Sequence, residues 1–134
     1  MKRRSIIGLI LMAGLILTTV THANPPPQSQ TEINYLLDYV GKSACAFYRN
    51  GTWYDSQSAQ QHLSKKYNYM AALNMIGTAE EFIEKVATQS SMSDEQYQVK
   101  CKDGVTKSSN HWLHEELVRY QVKSNENRPV SSRH

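Results

Sequence analysis

The chain has 134 residues, 40% hydrophobic and 20% charged, with 15 Lys+Arg against 12 Asp+Glu and two cysteines. That length accommodates one compact domain. Lys2, Arg3 and Arg4 account for the whole formal excess of +3, so the chain beyond them is neutral and its charge gives no reason to expect a nucleic-acid or anionic-membrane partner.

The N-terminus reads as a signal for export. A basic start, Lys2-Arg3-Arg4, leads into the apolar run "SIIGLILMAGLILTTV", and Thr21-His22-Ala23 places small residues at the third and first positions before a cut. The run is shorter than the ~20 residues a membrane-spanning helix needs. The expected division is a signal peptide over 1–23, cleaved between Ala23 and Asn24, with no stable membrane span left afterwards. "NPPPQSQ" at 24–30 then reads as a flexible, proline-led spacer, and 123–134 as a disordered tail with almost nothing apolar to bury. The domain proper is expected over 31–122, and its localisation in the periplasm.

"TEINYLLDYVG" is expected to open the domain as a helix. Thr31 is placed as its N-cap, and Ile33, Leu36, Leu37 and Val40 recur at the spacing of one helical face before Gly41. "SACAFYRNGTWY" follows. Asn50-Gly51 between aromatic-rich runs signals a two-residue hairpin turn, because both residues tolerate positive φ. That loop sets Arg49 opposite Thr52 and Tyr48 opposite Trp53, leaving Phe47 and Tyr54 on the other face. Asn50-Gly51-Thr52 also spells an N-glycosylation acceptor, which matters only in a host that glycosylates such sites.

Asp55 or Ser56 is expected to cap a second helix with Ala59, Leu63, Tyr67 and Met70 on one stripe. Thr78 and Glu81 form a capping-box pattern for a third, with Phe82, Ile83, Val86 and Ala87 as its apolar face. A polar loop, Ser90 to Asp94, separates it from "YQVKC", whose alternation places Tyr97, Val99 and Cys101 on the inner side of a strand. Asp103-Gly104 marks a turn, and a last helix starts near Asn110 with Trp112, Leu113, Leu117 and Tyr120 inward. The order gives an α+β fold, a small antiparallel sheet packed with about four helices.

Cys45 and Cys101 are the chain's two cysteines, without CxxC spacing, so in an oxidising compartment they are expected to form one disulfide. Antiparallel pairing of 45–49 with 97–101 would set them opposite each other.

The residues together resemble a known family. "CAFYRNG", the helix with "AQQHL", "TAEEFIEKVATQSS", the Tyr-x-Val strand and the Trp-Leu helix are similar to the YfeK-like family of small, signal-bearing bacterial proteins, a domain of unknown function. The resemblance runs from about Ile33 to Tyr120 and is carried by Phe47, Arg49-Asn50-Gly51, His62-Leu63, Phe82-Ile83, Ser90-Ser91, Ser93 and Tyr97. It implies export and the fold, and assigns no catalytic residue.

Chemistry is harder to find. His111 and His114 lie three apart on the last helix, but position 118, where a zinc-protease motif needs a histidine, is Val118. No metal site and no cofactor are expected, and His62 reads as a hydrogen-bonded boundary residue. A glycan hydrolase needs two carboxylates across a cleft. Glu80, Glu81, Glu84, Glu115 and Glu116 read instead as the solvated faces of helices. The serines lack the GxSxG elbow of a nucleophile. The candidate binding patch is Arg49 and Asn50 with Ser90, Ser91 and Ser93, a guanidinium beside a hydroxyl-rich loop suited to a polar or anionic ligand. The functional expectation is a non-enzymatic binding or interaction module of the cell envelope, its partner an envelope protein or cell-wall ligand. The rival is a small cell-wall hydrolase.

Overall fold

The structure, a computed structural model, describes Gly8, residues 13–17 and residues 24–130. Most of the expected signal segment, including Ala23 at its cleavage site, and residues 131–134 lie outside them. Among the described residues no helix is long and apolar enough to cross a membrane.

Among the described residues, four helices and one four-stranded antiparallel sheet make up the α+β fold. In chain order they are α1 (Pro27–Lys42), β1 (Ala46–Arg49), β2 (Thr52–Tyr54), α2 (Ser56–Ala72), α3 (Ala79–Val86), β3 (Gln98–Lys100), β4 (Thr106–Ser108) and α4 (Ser109–Glu126). The strands lie in the order β2-β1-β3-β4. Helix α2 packs on β1, and α4 on β3 and β4. The inward residues of all these elements meet in one core, with Ile33, Leu36, Phe82, Ile83, Val99 and Leu113 essentially without exposed surface.

Asn50 and Gly51 both adopt positive φ, as a primed hairpin turn requires. Phe47 faces Tyr54, Tyr48 faces Trp53 and Arg49 faces Thr52, the register expected from the two-residue loop. Asp55 caps α2, its carboxylate accepting from the Ser58 amide at 2.7 Å. Thr78 caps α3 through the Glu81 amide at 3.0 Å. The Glu81 carboxylate accepts from Lys85 at 2.9 Å, so the reciprocal arm of the capping box is spent on an ion pair one turn on.

The sheet pairs β1 with β3 in a register that sets Phe47 opposite Val99 and Ala46 opposite Lys100. Carried one residue further, it brings Cys45 against Cys101, and the two are disulfide-bonded with their Cα atoms 4.3 Å apart. The bridge therefore fastens the two central strands of the sheet to each other.

Two boundaries and one strand differ from the sequence expectation. Helix α1 starts at Pro27 rather than after Thr31, and so takes in part of the expected spacer. Proline suits the first turn, where its missing N–H has no partner to lose. Pro25 is buried and its carbonyl accepts from the Gln30 side chain at 2.6 Å, while Thr31 donates back to Pro27 instead of capping. Helix α4 runs on to Glu126, past the expected start of the tail at 123. The strand β4 was not expected: Thr106-Lys107-Ser108 has no apolar alternation because it forms an edge of the sheet, with two of its three residues exposed.

Candidate functional site

Alternation along β1 decides where the hairpin's side chains go. Phe47 points into the core and Tyr48 away from it, so Arg49 returns to the inner face. There it meets α2. The stripe of α2 that turns Ala59 and Leu63 inward also brings His62 against the strand. The β1–β3 register, continued by one residue, sets Tyr97 opposite Arg49. Three elements thus deliver a guanidinium, an imidazole and a phenol to one place.

Their contacts form a short chain. Arg49 Nη1 lies 3.1 Å from His62 Nδ1, and His62 Nε2 lies 3.1 Å from the Tyr97 hydroxyl. A guanidinium has no acceptor, so it must donate, and Nδ1 must be the unprotonated nitrogen. Nε2 then carries the proton and donates to Tyr97. That leaves the Tyr97 O–H itself free to donate elsewhere. The Arg49 guanidinium also sits over the Tyr54 ring, 4.8 Å from its centroid. Lys66 lies over the Tyr97 ring at 5.3 Å, its ammonium donating to the Gln89 carbonyl at 2.9 Å.

This chain lines a small cleft, about 30 Å³, that is open to solvent. Phe47, Tyr54, Ala59, Leu63 and Tyr97 supply aromatic and aliphatic wall, and Arg49, His62, Ser58 and Ser109 supply polar groups. Among the described residues no carboxylate lines it. Arg49, half-buried, makes no ion pair among the described residues.

The electrostatics follow from this layout. Burial, and then the charges of Arg49, Lys66 and Lys65, push the His62 pKa down to about 4. Burial also raises the Tyr97 phenol and lowers the Lys66 ammonium. At neutral pH the site is therefore a neutral imidazole between a fixed cation and a phenol. The unfolded chain takes up the His62 proton near pH 6.5 and the folded chain only near 4. The stability that neutral His62 contributes is complete above the unfolded pKa, is lost as pH falls through this window, and changes no further below it. His62→Gln is expected to flatten the dependence of melting temperature on pH between 6.5 and 4, read as the difference between the two proteins across a pH series. Parallel curves would refute the buried neutral ring.

The sequence-predicted patch divides in two. Asn50 and Ser93 come together, the Ser93 hydroxyl donating to Asn50 Oδ1 at 2.6 Å. That bond ties the serine loop to the tip of the hairpin. Ser93 also accepts from the Glu95 amide at 3.3 Å. Ser90 is buried, accepts from the Met92 amide at 3.2 Å and braces the loop through backbone bonds to Asp94 and Glu95. Ser91 is exposed. None of Ser90, Ser91 and Ser93 lines the cleft with Arg49. Two of the loop's three hydroxyls shape backbone, and His62 and Tyr97 are the partners that the chain order of Arg49 and Asn50 did not suggest.

His111, His114, Glu84, Glu115 and Glu116 have local partners. His111 pairs with Glu115 at 2.8 Å and His114 with Glu84 at 3.1 Å, two separate contacts. Glu116 departs from the solvated face expected of it. It is buried, accepts from the Tyr35 hydroxyl at 2.6 Å and from Arg119 at 2.8 and 2.7 Å, and lies at the seam of α1 and α4. Its hydrogen bond, with burial, pushes the Tyr35 phenol up to about 12.

Comparison with known proteins agrees with the resemblance carried by the hairpin and helix motifs. A family model described as "Family of unknown function (DUF5329)" matches residues 27–121. The uncharacterised protein YfeK of Salmonella typhimurium is 34% identical over 87 residues, covering 64% of this chain and 71% of that one. No solved structure matches. The family match spans all four helices' packed parts and every strand, so the chain belongs to the DUF5329 family of unknown function.

Proposed function

We propose that this protein is an exported, non-enzymatic binding module of the cell envelope, and that its ligand site is the cleft beside Arg49. The observation that carries the reading is a half-buried guanidinium facing a cleft without a carboxylate. A buried cation without a counter-ion is costly, and an anionic group on a ligand would relieve that cost. Export rests on the basic start, the apolar run and Thr21-His22-Ala23. The glutamates that a hydrolase reading would enlist sit outside the cleft, Glu84 with Asn110 and His114 and Glu116 with Tyr35 and Arg119.

The test uses protein recovered from the periplasmic fraction, whose N-terminus is expected at or close to Asn24. Immobilised, it should capture an envelope component that Arg49→Ala protein fails to capture, with the melting temperature of the variant within a few degrees of the parent. Equal capture by both proteins would remove Arg49 from the site. Fragments released on incubation with peptidoglycan would favour the hydrolase.

A further inference from the structure

The shape and donor set of the cleft narrow the ligand. We propose that the cleft takes a small monocarboxylate with a compact apolar body, one carboxylate oxygen held by the Arg49 guanidinium and the other by the Tyr97 hydroxyl. The inference rests on the reading of the cleft as a ligand site and adds the ligand's chemistry.

Hydrogen-bond direction leads to it. Arg49 donates to His62 Nδ1, so the ring donates from Nε2 to Tyr97, and the Tyr97 proton is left over. The remaining N–H groups of Arg49 are likewise without an anionic acceptor among the described residues. Two donors, a cationic one on β1 and a neutral one just before β3, line the same cleft. A carboxylate has two oxygens in one plane and meets such a pair without needing a third donor.

A phosphate dianion fits less well. It needs more donors than these two and a higher positive charge, and Lys66, the cation over the Tyr97 ring, is already bound to the Gln89 carbonyl. The neutral His62 adds no charge. Beyond the two donors the wall is apolar, with Phe47, Tyr54, Ala59 and Leu63. That wall rewards a hydrocarbon body and penalises a heavily hydrated one. The cleft itself, about 30 Å³, has room for the carboxylate head, leaves a short apolar body against the open wall, and is too small for an oligosaccharide.

The probes are phenylacetate, its neutral isostere phenylacetamide, and inorganic phosphate, titrated at pH 7 into the folded chain lacking residues 1–23 and followed by NMR shifts of backbone amides. Phenylacetate is expected to saturate shifts around Arg49, His62 and Tyr97. Phenylacetamide and the Arg49→Gln variant should each weaken binding by about tenfold or more, the effect of losing a charged hydrogen bond. Tyr97→Phe keeps the ring in the core and removes its hydroxyl, both the free donor and the acceptor of His62 Nε2–H, and should weaken phenylacetate several-fold while leaving phenylacetamide nearly unchanged. Phosphate binding as tightly as phenylacetate at the same residues would overturn the monocarboxylate while leaving the anion cleft standing. Equal binding of acid and amide would show an apolar pocket and overturn it as well. If neither anion shifts these residues, both the ligand class and the cleft reading fall.

Discussion

Replacing Cys45 and Cys101 together by serine is expected to lower stability by about 2–5 kcal/mol, enough to leave a domain of this size marginal. The bridge closes a separation of 56 residues. In the chain-entropy account, denying the unfolded chain that freedom stabilises by roughly 4 kcal/mol. The bridge also joins β1 to β3 in the register that sets Arg49 opposite Tyr97. The double variant should therefore lose cleft geometry before it loses all helix. Urea unfolding of oxidised parent and variant measures the difference. Two thiols open to alkylation in native, oxidised protein, or coincident unfolding curves, would contradict the disulfide's role.

Phe82→Ala is expected to be comparably severe, at about 3–5 kcal/mol. Phe82 has no exposed surface, lies at the centre of the apolar face of α3 and meets the Tyr67 ring edge-on at 5.7 Å between centroids. Truncation removes that area and leaves a cavity where α1, α2 and α4 pack on α3, which close-packed neighbours fill only in part. Phe82→Leu, which fills most of the space, should recover the greater part. Urea midpoints of the three proteins decide it, and a midpoint for Phe82→Ala close to the parent's would mean that the core is not packed around this ring.

Much of this fold is readable without coordinates, because its local signals agree with its tertiary contacts. Asn50-Gly51 dictates the hairpin and, through a two-residue loop, its register. Asp55 and Thr78 mark two helix starts by the same chemistry, a side-chain oxygen meeting an unpaired amide. What escaped was structure without an apolar signature. β4 is an edge strand of Thr, Lys and Ser, and α1 begins in a proline run that reads as spacer.

The site was half legible. Arg49 reads from the sequence as a binding guanidinium, but the serine loop, which leads into the strand paired with β1, reads as its neighbour. The strand's alternation decides otherwise, sending Arg49 to the α2 side while Asn50, at the turn, meets Ser93. His62 lies 13 residues beyond Arg49 in sequence, and Tyr97 a further 35 beyond His62. No periodicity links them. The signal that would have found Tyr97 was nonetheless present: pairing Cys45 with Cys101 in an antiparallel register also pairs Arg49 with Tyr97.

The titration of the His62 ring, followed by NMR in the folded protein, tests the cleft most directly. Its neighbours are Arg49 from β1, Lys65 and Lys66 from α2 and the Tyr97 phenol beside β3, with no carboxylate among the groups that shift it. The account predicts a neutral ring protonated on Nε2 at pH 7, titrating near 4, with the midpoint moving upward in Arg49→Ala because a repelling charge is gone. A ring that titrates near its ordinary 6.5, or one whose midpoint ignores the loss of Arg49, would contradict the assembled site.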